Sequence, residues 1–143
     1  MLAGLHYLHS NFFIHRDLKP DNLMFASDGT LKFIDFGIAK KFGDEVPYSK
    51  NVMALCYRPP EILFGSTYYG PSADIWSAGC ILGEMLLKVP IFPGHEPTEM
   101  LNKIFTIRGT PDQDQDWVNA KVLENYLIFP TTKAKDWKEI FPN

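Results

Sequence analysis

His15-Arg16-Asp17-Leu18-Lys19-Pro20-Asp21-Asn22-Leu23-Met24-Phe25-Ala26-Ser27-Asp28-Gly29-Thr30-Leu31-Lys32-Phe33-Ile34-Asp35-Phe36-Gly37 decides the fold. Two short apolar runs, Leu23–Phe25 and Leu31–Ile34, flank Ala26-Ser27-Asp28-Gly29-Thr30. Asp28-Gly29 is a two-residue hairpin signal, because both turn positions then need positive φ. With that turn, Ser27 pairs with Thr30 and the pairing runs outward to Asn22 opposite Asp35. Directly opposed residues point to one face, so an amide oxygen and a carboxylate are expected to converge at the open end of the ribbon. Oxygen ligands of this kind suit Mg²⁺, which takes one or two protein ligands and leaves the rest to phosphates and water. Taken without its surroundings, the same pair reads first as a polar hairpin end.

The surroundings of the hairpin narrow the choice. His15-Arg16-Asp17-Leu18-Lys19-Pro20-Asp21-Asn22 stands immediately upstream, and Asp35-Phe36-Gly37 closes the second strand. Together they resemble the catalytic loop and metal loop of the protein kinases, a pairing that recurs as a general template of phosphoryl transfer. Five fixed positions at about one in twenty each make a chance match very improbable. The resemblance implies roles residue by residue. Asp17 accepts the proton of the substrate hydroxyl, and Lys19 offers a positive charge to the transferring phosphoryl group. Lys at this position is the serine/threonine pattern. Asn22 and Asp35 hold Mg²⁺ against the phosphates of ATP, with Asp21 and Lys19 beside the nucleotide. Met24 floors the adenine, or is an ordinary core methionine.

The resemblance extends along nearly the whole chain. Tyr57-Arg58-Pro59-Pro60-Glu61 resembles the segment that closes the activation loop, with Pro59 where the family usually has Ala. Asp74-Ile75-Trp76-Ser77-Ala78-Gly79 resembles the start of the central helix, whose Asp anchors the catalytic-loop backbone. Asp74 is also a first-turn acid favoured by the helix dipole. Val89-Pro90-Ile91-Phe92-Pro93-Gly94 and Gly109-Thr110-Pro111-Asp112 are similar to the cyclin-dependent (CMGC) group. Leu31–Gly43 and Leu86–Gly94 look closest to the CDK-activating kinase associated with TFIIH. Absence of a Thr-x-Tyr pair between Asp35 and Glu61 speaks against a MAP kinase. Alignment back from Arg58 puts Ser49 at the activation-loop phosphorylation position, with Arg16 and Lys40 to grip its phosphate. Ser49 reads otherwise as an exposed loop serine.

There are departures. No glycine-rich phosphate loop, no strand Lys and no Glu partner for it occurs in the sequence. The expected object is therefore a kinase C-terminal lobe, incomplete at both ends, inactive by itself, and lacking the Arg that would pair with Glu61. In the substrate-facing loop, Ala54 stands where the group has Thr and Cys56 where it has Trp. In the group that Thr hydroxyl bridges the catalytic Asp and Lys. The alternative function is a non-catalytic module that occupies a cyclin or a substrate. The expected partners are a Ser/Thr-bearing protein substrate and, for the complete kinase, a cyclin.

Composition agrees with a soluble domain. The 143 residues are 45% hydrophobic and 22% charged, with a net charge of −3, so no field favours nucleic acid or an anionic membrane. Cys56 and Cys80 lack ligand-like spacing and suggest a reducing compartment, nuclear or cytoplasmic, nuclear by resemblance. Met1–Leu5 has no basic flank, so no signal peptide is expected. Ile75–Leu87 is too short to span a bilayer. Fold class is mainly α with one small antiparallel ribbon. Helices are expected at 1–11, from a Ser72 cap to Lys88 with apolar residues almost all round, and from a Thr98 cap to Arg108 with Gly109 as the stop. Residues 36–60 read mostly as a long loop, Asp112–Asp116 as a solvated acidic loop, and the remainder as irregular with one short helix.

Overall fold

The computed structural model describes residues 1–43, 47–111 and 120–141. The chain begins in helix α1 (Leu2–Ser10), which buries Leu5 and leaves Leu2 and Tyr7 exposed. It ends where Phe12 takes φ 63°, and the chain reverses into β1 (Phe13–Ile14). A 3₁₀ turn (Pro20–Asn22) leads into the hairpin β2 (Leu23–Phe25) and β3 (Leu31–Phe33). Strand β4 (Lys40–Lys41) then pairs antiparallel with β1. The described residues therefore hold two ribbons rather than one, and the expected loop at 36–60 contains β4 and a 3₁₀ turn at Leu55–Tyr57.

The hairpin register corrects the expectation. Leu23 pairs with Phe33, Met24 with Lys32 and Phe25 with Leu31, and the Ile34 N–H donates to the Asn22 carbonyl. Asn22 thus faces Ile34, not Asp35. The cause lies in the turn. The Gly29 N–H donates to Ala26 O and the Ala26 N–H to Thr30 O, which makes a three-residue loop, and only Gly29 is left-handed (φ 80°). A three-residue loop with a left-handed glycine adds one residue to the ribbon, and a one-residue slip moves every side chain to the other face.

Helix α2 (Pro60–Leu63) precedes the long helix α3 (Ser72–Leu87), and α4 (Pro97–Arg108) packs on α2. The caps differ from the sequence reading. Pro71 is the N-cap of α3 with Ser72 inside the helix, and Glu96 is the N-cap of α4 with Pro97 in its first turn and Thr98 inside. Proline's fixed φ and missing N–H suit a first turn, which is why the hydroxyl caps are not needed. Gly109 stops α4 as expected. Its φ is 82°, and a Cβ there would lie 2.8 Å from the Ala134 nitrogen, so the left-handed turn and the close crossing both require glycine.

The core lies between α1, α3 and α4, with Leu5, Leu18, Phe64, Ile81, Met100, Leu101 and Ile104 almost fully buried. Phe64, Phe105 and Phe129 form an aromatic cluster beside it, with ring centroids 5.0–6.2 Å apart. Helix α3 is not buried all round. Ala73, Asp74, Ser77, Ala78, Cys80, Ile81 and Gly83 face inward, whereas Ile75, Leu82, Met85 and Leu86 are at least half exposed. The outer face lines a groove of about 470 Å³ with Trp137 and Phe141, at the end of α5 (Trp137–Ile140). No helix among the described residues is long and apolar enough to cross a membrane. The acidic run Asp112–Asp116 lies outside the described residues.

Candidate active site

Asp74 is the foundation of the site. It is fully buried near the start of α3. Its Oδ2 accepts the His15 N–H at 2.8 Å, and its Oδ1 accepts the Arg16 N–H at 3.0 Å. His9 Nε2, reaching across from α1, lies 2.8 Å from Oδ2. The anchoring role expected for Asp74 is therefore present in the geometry. Arg16 sits at φ 67°, a conformation that costs a non-glycine residue about 1–3 kcal/mol unless its surroundings over-determine it. They do so here. Besides Asp74, the Arg16 Nε donates to Ile38 O at 2.7 Å and its Nη1 to Tyr69 Oη at 3.1 Å.

This clamp presents Asp17. Its Oδ2 accepts from Lys19 Nζ at 3.0 Å and from Asn22 Nδ2 at 3.1 Å. Asn22, itself buried, also donates Nδ2 to the Asp17 carbonyl at 2.7 Å. With Nδ2 so used, the network assigns Asn22 Oδ1 as the atom free to take a cation. The hydrogen bond from Lys19 to Asp17 holds the pKa of the Lys19 ammonium above its ordinary range. Partial burial opposes this, and the charges of Asp17, Asp21 and Asp35 add to it. Lys19, Asp17, Asp21 and Asp35 thus form one electrostatic group, although the hairpin register differs from the expected one. Asp35 takes φ 59° one residue beyond Ile34, past the end of β3, and its Oδ1 accepts the Gly37 N–H at 3.2 Å. The left-handed turn, not the ribbon face, places its carboxylate. The ring of His15 lies 4.9 Å from Phe36, and its Nε2 lies 3.1 Å from Ile34 O.

An amide oxygen and an exposed carboxylate fit a hard divalent cation that keeps most of its water and phosphate ligands. Met24 stands 54% exposed on β2, on the open side of the ribbon.

The activation-segment residues are placed less directly. Ser49 is exposed, and its carbonyl accepts from Tyr69 Oη at 2.7 Å, so Arg16 reaches Ser49 through Tyr69. The Arg16 guanidinium also lies 5.6 Å from the centre of the Tyr48 ring. Lys40 lies exposed on β4, and no contact brings it to Ser49 among the described residues.

Sequence reasoning missed several supports. Ser77 Oγ donates to Tyr57 O at 2.8 Å, and Tyr57 Oη donates to Glu84 Oε2 at 2.6 Å. Burial and Glu84 together push the Tyr57 phenol far above its usual range. Arg58 Nη2 donates to the carbonyl of Met53 at 2.9 Å, and Met53 is left-handed at φ 67°. The only hint in the sequence was spacing: positions 77, 80 and 84 lie on one side of a helix. Cys80 on that side has its thiol pushed up to about 12 by burial.

A model of the protein kinase domain matches residues 1–136. The chain belongs to the protein kinase domain family. Within that family it is similar to cyclin-dependent kinases, cyclin-dependent kinase 7 among them. It is 41% identical to cyclin-dependent kinase 7 of Dictyostelium discoideum over 142 residues, covering 99% of this chain and 39% of that protein. Against cyclin-dependent kinase 7 of Xenopus laevis the identity is 46% over 129 residues, covering 90% and 36%. One solved chain, in the CAK complex of Chaetomium thermophilum bound to ATP-γ-S, superposes with a TM-score of 0.90 at 34% identity. That match covers 97% of this chain and 45% of the other. The chain spans less than two fifths of the length of these curated relatives.

Proposed function

We propose that this chain supplies the catalytic and metal loops of an ATP-dependent protein serine/threonine kinase of the cyclin-dependent type. The observation that carries this reading is the Asp17 carboxylate, held within 3.1 Å of both Lys19 Nζ and Asn22 Nδ2 on a backbone clamped by Asp74. In this reading Asp17 orients the Ser or Thr hydroxyl of a substrate protein and takes its proton. The hydroxyl oxygen then bonds to the γ-phosphorus of ATP as the bond to the ADP oxygen breaks. Lys19, kept cationic, faces the phosphoryl group in transfer. Asn22 Oδ1 and Asp35 are the groups that would hold Mg²⁺, which when bound neutralises phosphate charge. Met24 and Asp21 border the nucleotide, and a cyclin is the expected activating partner.

The activation segment supports a regulatory reading of Ser49. A phosphate there would be one aromatic side chain away from Arg16.

The test is phosphoryl transfer from Mg·ATP to a Ser/Thr peptide by the natural full-length chain with a cyclin, with and without Asp35→Asn. The reading expects Asp35→Asn to abolish turnover while the fold is retained, since an amide brings no charge to the phosphates. Near-parental kcat in that variant would remove Asp35 from the metal site. The rival, a binding module without turnover, draws on Ala54, which has no side-chain donor to offer Asp17. It is favoured if the parent binds a cyclin and transfers no phosphate.

A further inference from the structure

Asp17 has a third donor, and it is not a side chain. The main-chain N–H of Ala54 lies 3.3 Å from Asp17 Oδ1. Among the described residues it is the group that meets this oxygen, while Lys19 and Asn22 both bind Oδ2. The partner atoms are 37 residues apart, so the contact joins the catalytic loop to the substrate-facing loop. The Ala54 end is firmly set. Met53 is locked left-handed with its carbonyl on Arg58, the Ala54 carbonyl accepts the Tyr57 N–H at 3.0 Å, and the Tyr57 carbonyl is tied to Ser77 on α3.

We infer that the Ala54 peptide N–H is a positioning group for Asp17, setting the carboxylate from the main chain of the substrate-facing loop in place of a side-chain hydroxyl. The orientation of the base then follows the backbone of residues 53–57. Oδ2 is held by the loop's own Lys19 and Asn22, and Oδ1 by the segment a substrate peptide would press against. A hydrogen bond to an ionised acceptor is stronger than a neutral one, and a main-chain donor loses no side-chain entropy in making it. Ala54 sits at φ −63°, ψ 137°, a conformation proline also adopts, but proline disfavours the left-handed φ of the preceding Met53, so a loss in Ala54→Pro counts for the inference only together with the amide displacement below.

This inference rests on the reading of Asp17 as the proton acceptor, and two measurements separate the two ideas. In ¹⁵N-labelled natural full-length chain, Asp17→Asn should move the amide proton of residue 54 upfield, further than those of Tyr57 and Arg58. An unmoved residue-54 amide would overturn the inference, and this readout needs no turnover. In the kinase assay, Ala54→Pro should lower kcat by about tenfold to a hundredfold with KM for ATP unchanged. Ala54→Gly and Ala54→Thr, which keep the N–H, should stay near or above the parent. Equal losses in Pro and Gly, or no loss in Pro, would contradict it. If Ala54→Pro does not fold, the amide displacement decides. A parent that transfers no phosphate counts against the kinase reading, while a displaced amide would still support the positioning contact.

Discussion

Two loops lie against the same helix and are held by different physics. The catalytic loop, residues 14–22, is fixed by charge: one buried carboxylate, Asp74, receives two backbone N–H groups and lies within hydrogen-bonding distance of a histidine. The segment of residues 53–61 is held by scattered single bonds, from Ser77 to the Tyr57 carbonyl, from Tyr57 to Glu84 and from Arg58 to the Met53 carbonyl, and it carries charges that are poorly matched. Arg58 Nε is buried without a partner among the described residues. The Glu61 carboxylate has no ion pair there, and burial raises its pKa while its own backbone N–H opposes this only in part. Residual mismatch of this kind predicts a second loop that is less stable than the first.

The largest effect should come from breaking the charged clamp. Asp74→Ala leaves two buried backbone N–H groups unpaired and takes the partner from His9, and should cost about 3 kcal/mol or more, read as a lower midpoint in denaturant unfolding. A loss below about 1 kcal/mol would mean that the two loops are held alike. A smaller effect of opposite sign is expected at Glu61. A carboxyl whose folded pKa is raised binds its proton more tightly in the fold than in the unfolded chain. Its contribution is therefore fully present below the ordinary value of 4.5 and is lost as pH rises through the raised folded value. Glu61→Gln should remove that decline and stabilise the chain at neutral pH by on the order of 1 kcal/mol, measured as thermal unfolding against pH. An unchanged pH profile would show that Glu61 is not penalised by burial. The smallest effect belongs to the exposed pair Lys50–Glu124, which ties the segment before the substrate-facing loop to the later chain. Lys50→Ala should change stability by less than about 0.5 kcal/mol, and a larger loss would make this outward tie part of the loop's support.

How much of this was legible in the sequence depended on whether the signal was local. The catalytic and metal motifs, the hairpin, the long helix and the Gly109 stop could be read because each is coded by neighbours in sequence. The register failed because a left-handed Gly29 serves a three-residue loop as well as a two-residue one, and nothing adjacent distinguishes them. The caps failed because Pro71 and Pro97 open their helices without needing Ser72 or Thr98. The long-range ties were invisible: His9 to Asp74 spans 65 residues and Tyr57 to Glu84 spans 27, and neither type of pair has a sequence period. The outer face of α3 was misread because an all-round apolar helix predicts burial, while Ile75, Leu82 and Leu86 stand open in the described chain.

In the function proposed above, the clamped catalytic loop presents Asp17 as the group that takes the substrate proton. Its most direct test is the steady-state rate of phosphoryl transfer to a Ser/Thr peptide by the natural full-length chain and by Asp17→Asn, at saturating Mg·ATP. Asparagine keeps the shape and the contact with Lys19 but cannot accept a proton, so kcat should fall by about 10²–10⁴-fold with KM for ATP little changed. A variant that turns over at the parental rate would contradict the account.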